Sequence, residues 1–160
     1  MTENKKIKSV LIVCMGNICR SPTMESVLKY KAQHAGITLE IESAGTISYH
    51  KGNPPDNRSR AHGERRGYDF SHMHARQIQD NDFAYFDLIL CADKQNLADL
   101  TSRCPKVHLH KLGLFLQFGD MGYSEIPDPY YGGDQGFENV LDLVENASEH
   151  LIKKLLDHTC

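Results

Sequence analysis

Apolar and polar positions along this chain switch between two periods, and the order of the switches outlines a fold. Residues 7–13 form a short apolar run that includes Val10, Leu11, Ile12 and Val13, as a strand buried on both faces requires. Met24, Val27, Leu28 and Ala32 then recur at helical spacing, and Leu39, Ile41 and Ser43 alternate as a second strand. A turn-rich stretch, residues 52–56, leads into a polar helix over about 57–66. Residues 87–91 read as another buried strand, 96–100 as part of a helix, and 107–112 as a fourth strand. Residues 119–136, rich in glycine and proline, read as a long loop around Asp128, a length usually reserved for function or disorder. Phe137, Val140, Leu141, Val144, Leu151, Ile152, Leu155 and Leu156 stripe a closing helix. Strands alternating with helices predict an α/β domain over residues 1–160. Its open, mainly parallel four-stranded sheet carries helices on both faces. Ligands of such sheets bind beyond the carboxyl ends of the strands.

The first of those ends carries the richest chemistry. Val13-Cys14-Met15-Gly16-Asn17-Ile18-Cys19-Arg20-Ser21-Pro22 places a cysteine at the strand end, an arginine six positions on, and a proline where a helix can begin. Such a turn directs backbone N–H groups and the positive end of a helix dipole toward one point. An anion held there lies against the Cys14 sulfur, and the same field favours the nucleophilic thiolate. The pattern predicts a phosphate-binding loop after strand 1, with a nucleophile at its base. A nucleotide-hydrolysing loop would end in Lys-Ser/Thr, which this one lacks.

Composition adds boundaries. The chain has 160 residues, 40% apolar and 24% charged, with a net charge of −3 and no basic block, which argues against a general nucleic-acid binder. No apolar run approaches membrane length, and the polar start lacks a signal-peptide core, so a cytoplasmic location away from membranes is expected. Five cysteines, an odd number, suit free thiols better than a disulfide framework.

Cys14 to Pro22 resembles the signature loop of the low-molecular-weight protein tyrosine phosphatases. Ser43-Ala44-Gly45-Thr46, Gly52-Asn53-Pro54-Pro55-Asp56, Ala75-Arg76-Gln77 and Ile126-Pro127-Asp128-Pro129-Tyr130-Tyr131 resemble the same family, in order along nearly the whole chain. The resemblance implies hydrolysis of phosphotyrosine in protein substrates, without metal or other cofactor, with inorganic phosphate as product and competing ligand. It implies Cys14 as the nucleophile that forms a phosphocysteine and Arg20 as a planar clamp on two phosphoryl oxygens. Met15, Gly16, Asn17, Ile18 and Cys19 would line the phosphate with Arg20. Ser21 would hydrogen-bond the sulfur, or serve only as a helix cap. Asp128, extended between two prolines, would protonate the leaving oxygen and then activate water, giving a bell-shaped rate profile. Tyr49, Tyr130 and Tyr131 would wall a cleft for a flat ring. Ile18 resembles the tyrosine-directed members, because relatives acting on phosphoarginine carry threonine there. Asn17 would join a buried polar network with Ser43 and with His72, or else His74.

Three questions stay open at this level. Cys19 reads as a passive loop residue, as a zinc ligand with Cys14, or, by resemblance, as a thiol that captures oxidised Cys14. Zinc lacks a recognisable second ligand pair, and His108 and His110 read as sheet residues. An arsenate reductase would share this loop but needs two further relay cysteines, and Cys91 and Cys104 lie 13 positions apart with Cys91 in a strand. A phosphopeptide-binding module would need neither the nucleophile nor the acid.

Overall fold

A computed structural model describes residues 6–129 and 133–157. Its sheet has the order β2-β1-β3-β4, built from β1 (Ser9–Cys14), β2 (Glu40–Gly45), β3 (Leu88–Cys91) and β4 (Leu112–Leu114). All neighbours pair in parallel, with Cys14 opposite Gly45 on one side of β1 and Val13 opposite Cys91 on the other. Every residue of β1 is buried. Alternation sends Val10, Ile12 and Cys14 into one core and Leu11 and Val13 into a second core across the sheet.

Helices cover both faces. α1 (Ser21–His34) and α5 (Gly133–Asp157) pack over the first core through Met24, Val27, Leu28, Val140, Leu141 and Val144. Phe83 of α3 (Asp80–Tyr85) and Leu100 of α4 (Lys94–Arg103) close the second core. α2 (Asn57–Arg65) starts at an Asp56 cap, whose carboxylate accepts from the N–H groups of Arg58 and Ser59 at 3.0 and 3.1 Å. Because the chain leaves β1 first toward β2 and then returns past it to β3, the sheet switches direction between β1 and β3. Ligand crevices form at such a point.

Four expectations need correction. Residues 106–111 form 3₁₀ turns, so the fourth strand is only Leu112–Leu114, and His108 and His110 do not share a strand face. Pro105 opens that segment and Lys111 turns inward, its Nζ donating to the carbonyls of Phe83 and Ala84 at 2.8 and 3.2 Å. α5 begins at Gly133, which takes the last part of the expected loop into helix. Leu156, placed on the buried stripe by periodicity, is 40% exposed near the helix end. The short α3 carried too few residues to show a period; Gln79 and Asp82 cap it reciprocally.

Candidate active site

Cys14 is the last residue of β1 and is 2% exposed. Its Sγ accepts from the backbone N–H groups of Asn17 at 3.2 Å and Ser21 at 3.4 Å. The Ser21 hydroxyl lies 3.1 Å from the same sulfur. Asn17 Nδ2 donates to that hydroxyl oxygen at 2.8 Å, which leaves the Ser21 proton to point at the sulfur. Ser21 is the first residue of α1, after an Arg20 cap that makes no side-chain capping bond, so Ser21 serves the sulfur and not the helix end. Pro22 occupies the first turn, where its missing N–H costs nothing.

Asn17 fixes the loop. Its φ of 60° lies in the left-handed region, which asparagine tolerates better than most residues. Its amide reaches Ser43 Oγ at 2.9 Å, and its carbonyl oxygen accepts from the Arg76 N–H at 2.9 Å. Ser43 in turn donates to Glu25 Oε1 at 2.5 Å, and Glu25 pairs with Lys29. Glu25, missed at the sequence level, thus holds the place beside Ser43 that the resemblance gave to a histidine. His72 and His74 are exposed and line a cavity of about 190 Å³ with Asn17, Ser43 and Glu25. Among the described residues neither histidine hydrogen-bonds Ser43. Gly45 matters through its lack of a side chain, since a Cβ there would sit 2.6 Å from the Met15 carbonyl oxygen.

Arg20 is held at the other wall. Its Nη1 donates to Asp93 Oδ2 at 2.8 Å and to the Ile126 carbonyl at 3.0 Å. Asp93 follows β3 and also caps α4, its other oxygen accepting from the Asn96 N–H at 2.8 Å. Both Arg20 bonds use Nη1, so the Nε–Nη2 edge of the fork faces elsewhere. Sequence reading missed Asp93; a capping box, Asp93 with Asn96, directly after a buried strand was its only local signal.

Cys14, Met15, Gly16, Ile18, Cys19, Arg20, His50 and Asp128 line one cavity of about 110 Å³. The structure therefore brings the expected nucleophile, clamp and acid to one place, with Asp128 exposed at the rim. His50 was not anticipated. Its ring lies against Gly16, where a Cβ would meet Cδ2 at 2.9 Å, and Tyr49 stands edge-on to it at 4.8 Å. Tyr49 is 82% exposed, a rim residue and not a wall of the cavity. Tyr130 and Tyr131 lie outside the described residues.

Among the described residues no disulfide joins Cys14, Cys19, Cys91 or Cys104. Burial first, then the Asp93 carboxylate, pushes the Cys91 thiol far above its ordinary value. Among the described residues no group of three His, Cys, Asp or Glu side chains could hold a metal ion, and no helix is long and apolar enough to cross a membrane.

Residues 9–159 match the family model described as low molecular weight phosphotyrosine protein phosphatase. A human low molecular weight phosphotyrosine protein phosphatase is 44% identical over 137 residues, covering 83% of this chain and 86% of the human one. The fold superposes with a TM-score of 0.91 on an Entamoeba histolytica protein tyrosine phosphatase solved with Hepes in its active site. That pair is 40% identical, over 96% of this chain and 99% of the other. A low molecular weight phosphotyrosine phosphatase from Vibrio cholerae O395 gives 0.90 at 33% identity, over 96% and 99% of the two chains.

Proposed function

Since this chain belongs to the low molecular weight phosphotyrosine protein phosphatase family and so to the protein tyrosine phosphatases, we propose that it hydrolyses phosphotyrosine in proteins through a phosphocysteine on Cys14. The observation that carries this reading is the convergence of Cys14, Arg20 and Asp128 on one small cavity at the switch point of the sheet. Three donors aimed at Sγ suit a sulfur that carries negative charge as nucleophile and again as leaving group. The N–H groups of Met15 to Arg20 and the Nε–Nη2 edge of Arg20 would take the phosphoryl oxygens, positioned before the charge develops. Asp128, at the rim, stands where a leaving phenolate exits. It would donate its proton there and then take one from the attacking water. No metal or other cofactor enters this scheme. We read residues 1–160 as one such domain, a reading supported by the family match over residues 9–159, and Tyr49 would meet the substrate's flanking surface.

The reductase alternative draws no support from Cys91, which is fully buried in β3 with its thiol pushed up by that burial. Hydrolysis of p-nitrophenyl phosphate in EDTA tests the proposal. Cys14→Ser is expected to abolish turnover, and Asp128→Ala to lower turnover of phenyl phosphate, whose leaving group needs a proton, by about 10²–10⁴-fold. A reduced, folded chain without turnover, or undiminished turnover by Cys14→Ser, would overturn it.

A further inference from the structure

One cluster of charged groups that the proposed chemistry leaves unused lies between α2 and the start of α5. His62, in the last turn of α2, is 5% exposed, and its ring stacks on Phe137 at 5.2 Å and 3°. Its Nδ1 hydrogen-bonds Glu138 Oε2, and its Nε2 faces Asp134 Oδ1 at 3.4 Å. Glu138 also accepts from Arg66 Nη2 at 2.7 Å, and Arg58 lies 5.0 Å over the Phe137 ring. Both ring nitrogens of His62 thus face carboxylates from the first turns of α5. Arg66 reaches further along α5, to Asp142 and Glu145, each at 3.0 Å.

This cluster connects to both halves of the active site. At its other end α2 is tied to the loop of Cys14, because the Asp56 N–H donates to the Ile18 carbonyl at 2.7 Å. The first turns of α5 press on the residue after Asp128: a Cβ at Gly136 would lie 2.7 Å from the Pro129 carbonyl oxygen. Asp134 and Glu138, the partners of His62, flank Gly136 in sequence.

We propose that His62 is a positioning residue for the acid step, a clamp that holds the first turns of α5 against α2 and thereby sets Pro129 and Asp128 over the Cys14 loop. The inference rests on the phosphatase reading above. Its effect acts on proton delivery, so it depends on how much the leaving group needs a proton. p-Nitrophenolate leaves with little help, whereas phenolate needs the acid.

The test compares kcat/KM for p-nitrophenyl phosphate and phenyl phosphate in the full chain. His62→Gln is expected to leave the first within about threefold and to lower the second about tenfold, part of the 10²–10⁴-fold that a placed acid contributes. Asp134→Asn, a 93% exposed side chain whose loss cannot unfold the protein, is expected to move the ratio the same way by about threefold. In an Asp128→Ala background, His62→Gln is expected to change the ratio no further, because both act through one proton. A lower folded fraction scales both substrates equally and leaves the ratio unmoved. An unchanged ratio in both single variants, or a full additional loss in the double variant, overturns the positioning role while Cys14-dependent turnover persists. Loss of that dependence would instead strike the phosphatase reading.

Discussion

Asn17 sets the loop by two separable effects, and two substitutions divide them. Asn17→Gly keeps the backbone at φ 60° and removes the side chain; Asn17→Ala removes the same bonds and adds a left-handed penalty. Three hydrogen bonds are lost in either case, to Ser21, Ser43 and Arg76. At about 1 kcal/mol each, the loss is about 3 kcal/mol, with the Arg76 N–H left without its acceptor. Alanine pays about 1–2 kcal/mol more for the conformation. Glycine gives back about 0.4–1 kcal/mol through a freer unfolded chain. Alanine should therefore be the less stable of the two, by about 0.8 kcal/mol at the midpoints of these ranges. Urea titration with linear extrapolation measures both, and a domain of this size should lose about 2–4 °C in Tm per kcal/mol. kcat/KM should fall in both, since Ser21 loses the contact that orients its hydroxyl. A glycine variant within 1 kcal/mol of the parent would refute the view that this network holds the loop. Equal stability of the two variants would show that the positive φ relaxes at little cost.

Two further predictions follow from groups beyond the loop. Asp93→Asn keeps an α4 cap but exchanges the carboxylate on Arg20 for an amide, so kcat/KM should drop about tenfold with stability changed by less than about 1 kcal/mol; unchanged kinetics would sink the role given to Asp93. The Arg66 hydrogen bond first, with the His62 contact, holds Glu138 below its ordinary 4.5 against some burial. A depressed carboxylate contributes stability above its unfolded value and loses it as pH falls through the folded one, so the urea midpoint should decline below about pH 4.5. Glu138→Gln should flatten that decline; an equally steep fall would place the acid sensitivity elsewhere.

What the linear sequence determined about this protein is what neighbouring residues decide among themselves. A buried run that stops at Cys14 and Pro22 at the start of α1 are local consequences of sterics and capping, and they appear in the structure as read. The long stripe of α5 was legible because periodicity accumulates over many residues, while its first turn, glycine-rich and polar, was not. Residues 107–111 misled because apolar spacing there fits a strand, yet they form 3₁₀ turns that end at a buried Lys111 whose amine donates to carbonyls of α3, a partner no local pattern shows. The partners of the site are tertiary facts. Asp93 meets Arg20 across 73 residues, Glu25 reaches Ser43 from the opposite element, and His62 meets Glu138 across 76. A charge or hydroxyl carries no sequence mark of which partner it will satisfy; that is settled only when the sheet brings the strand ends together and burial makes an unpaired polar group costly.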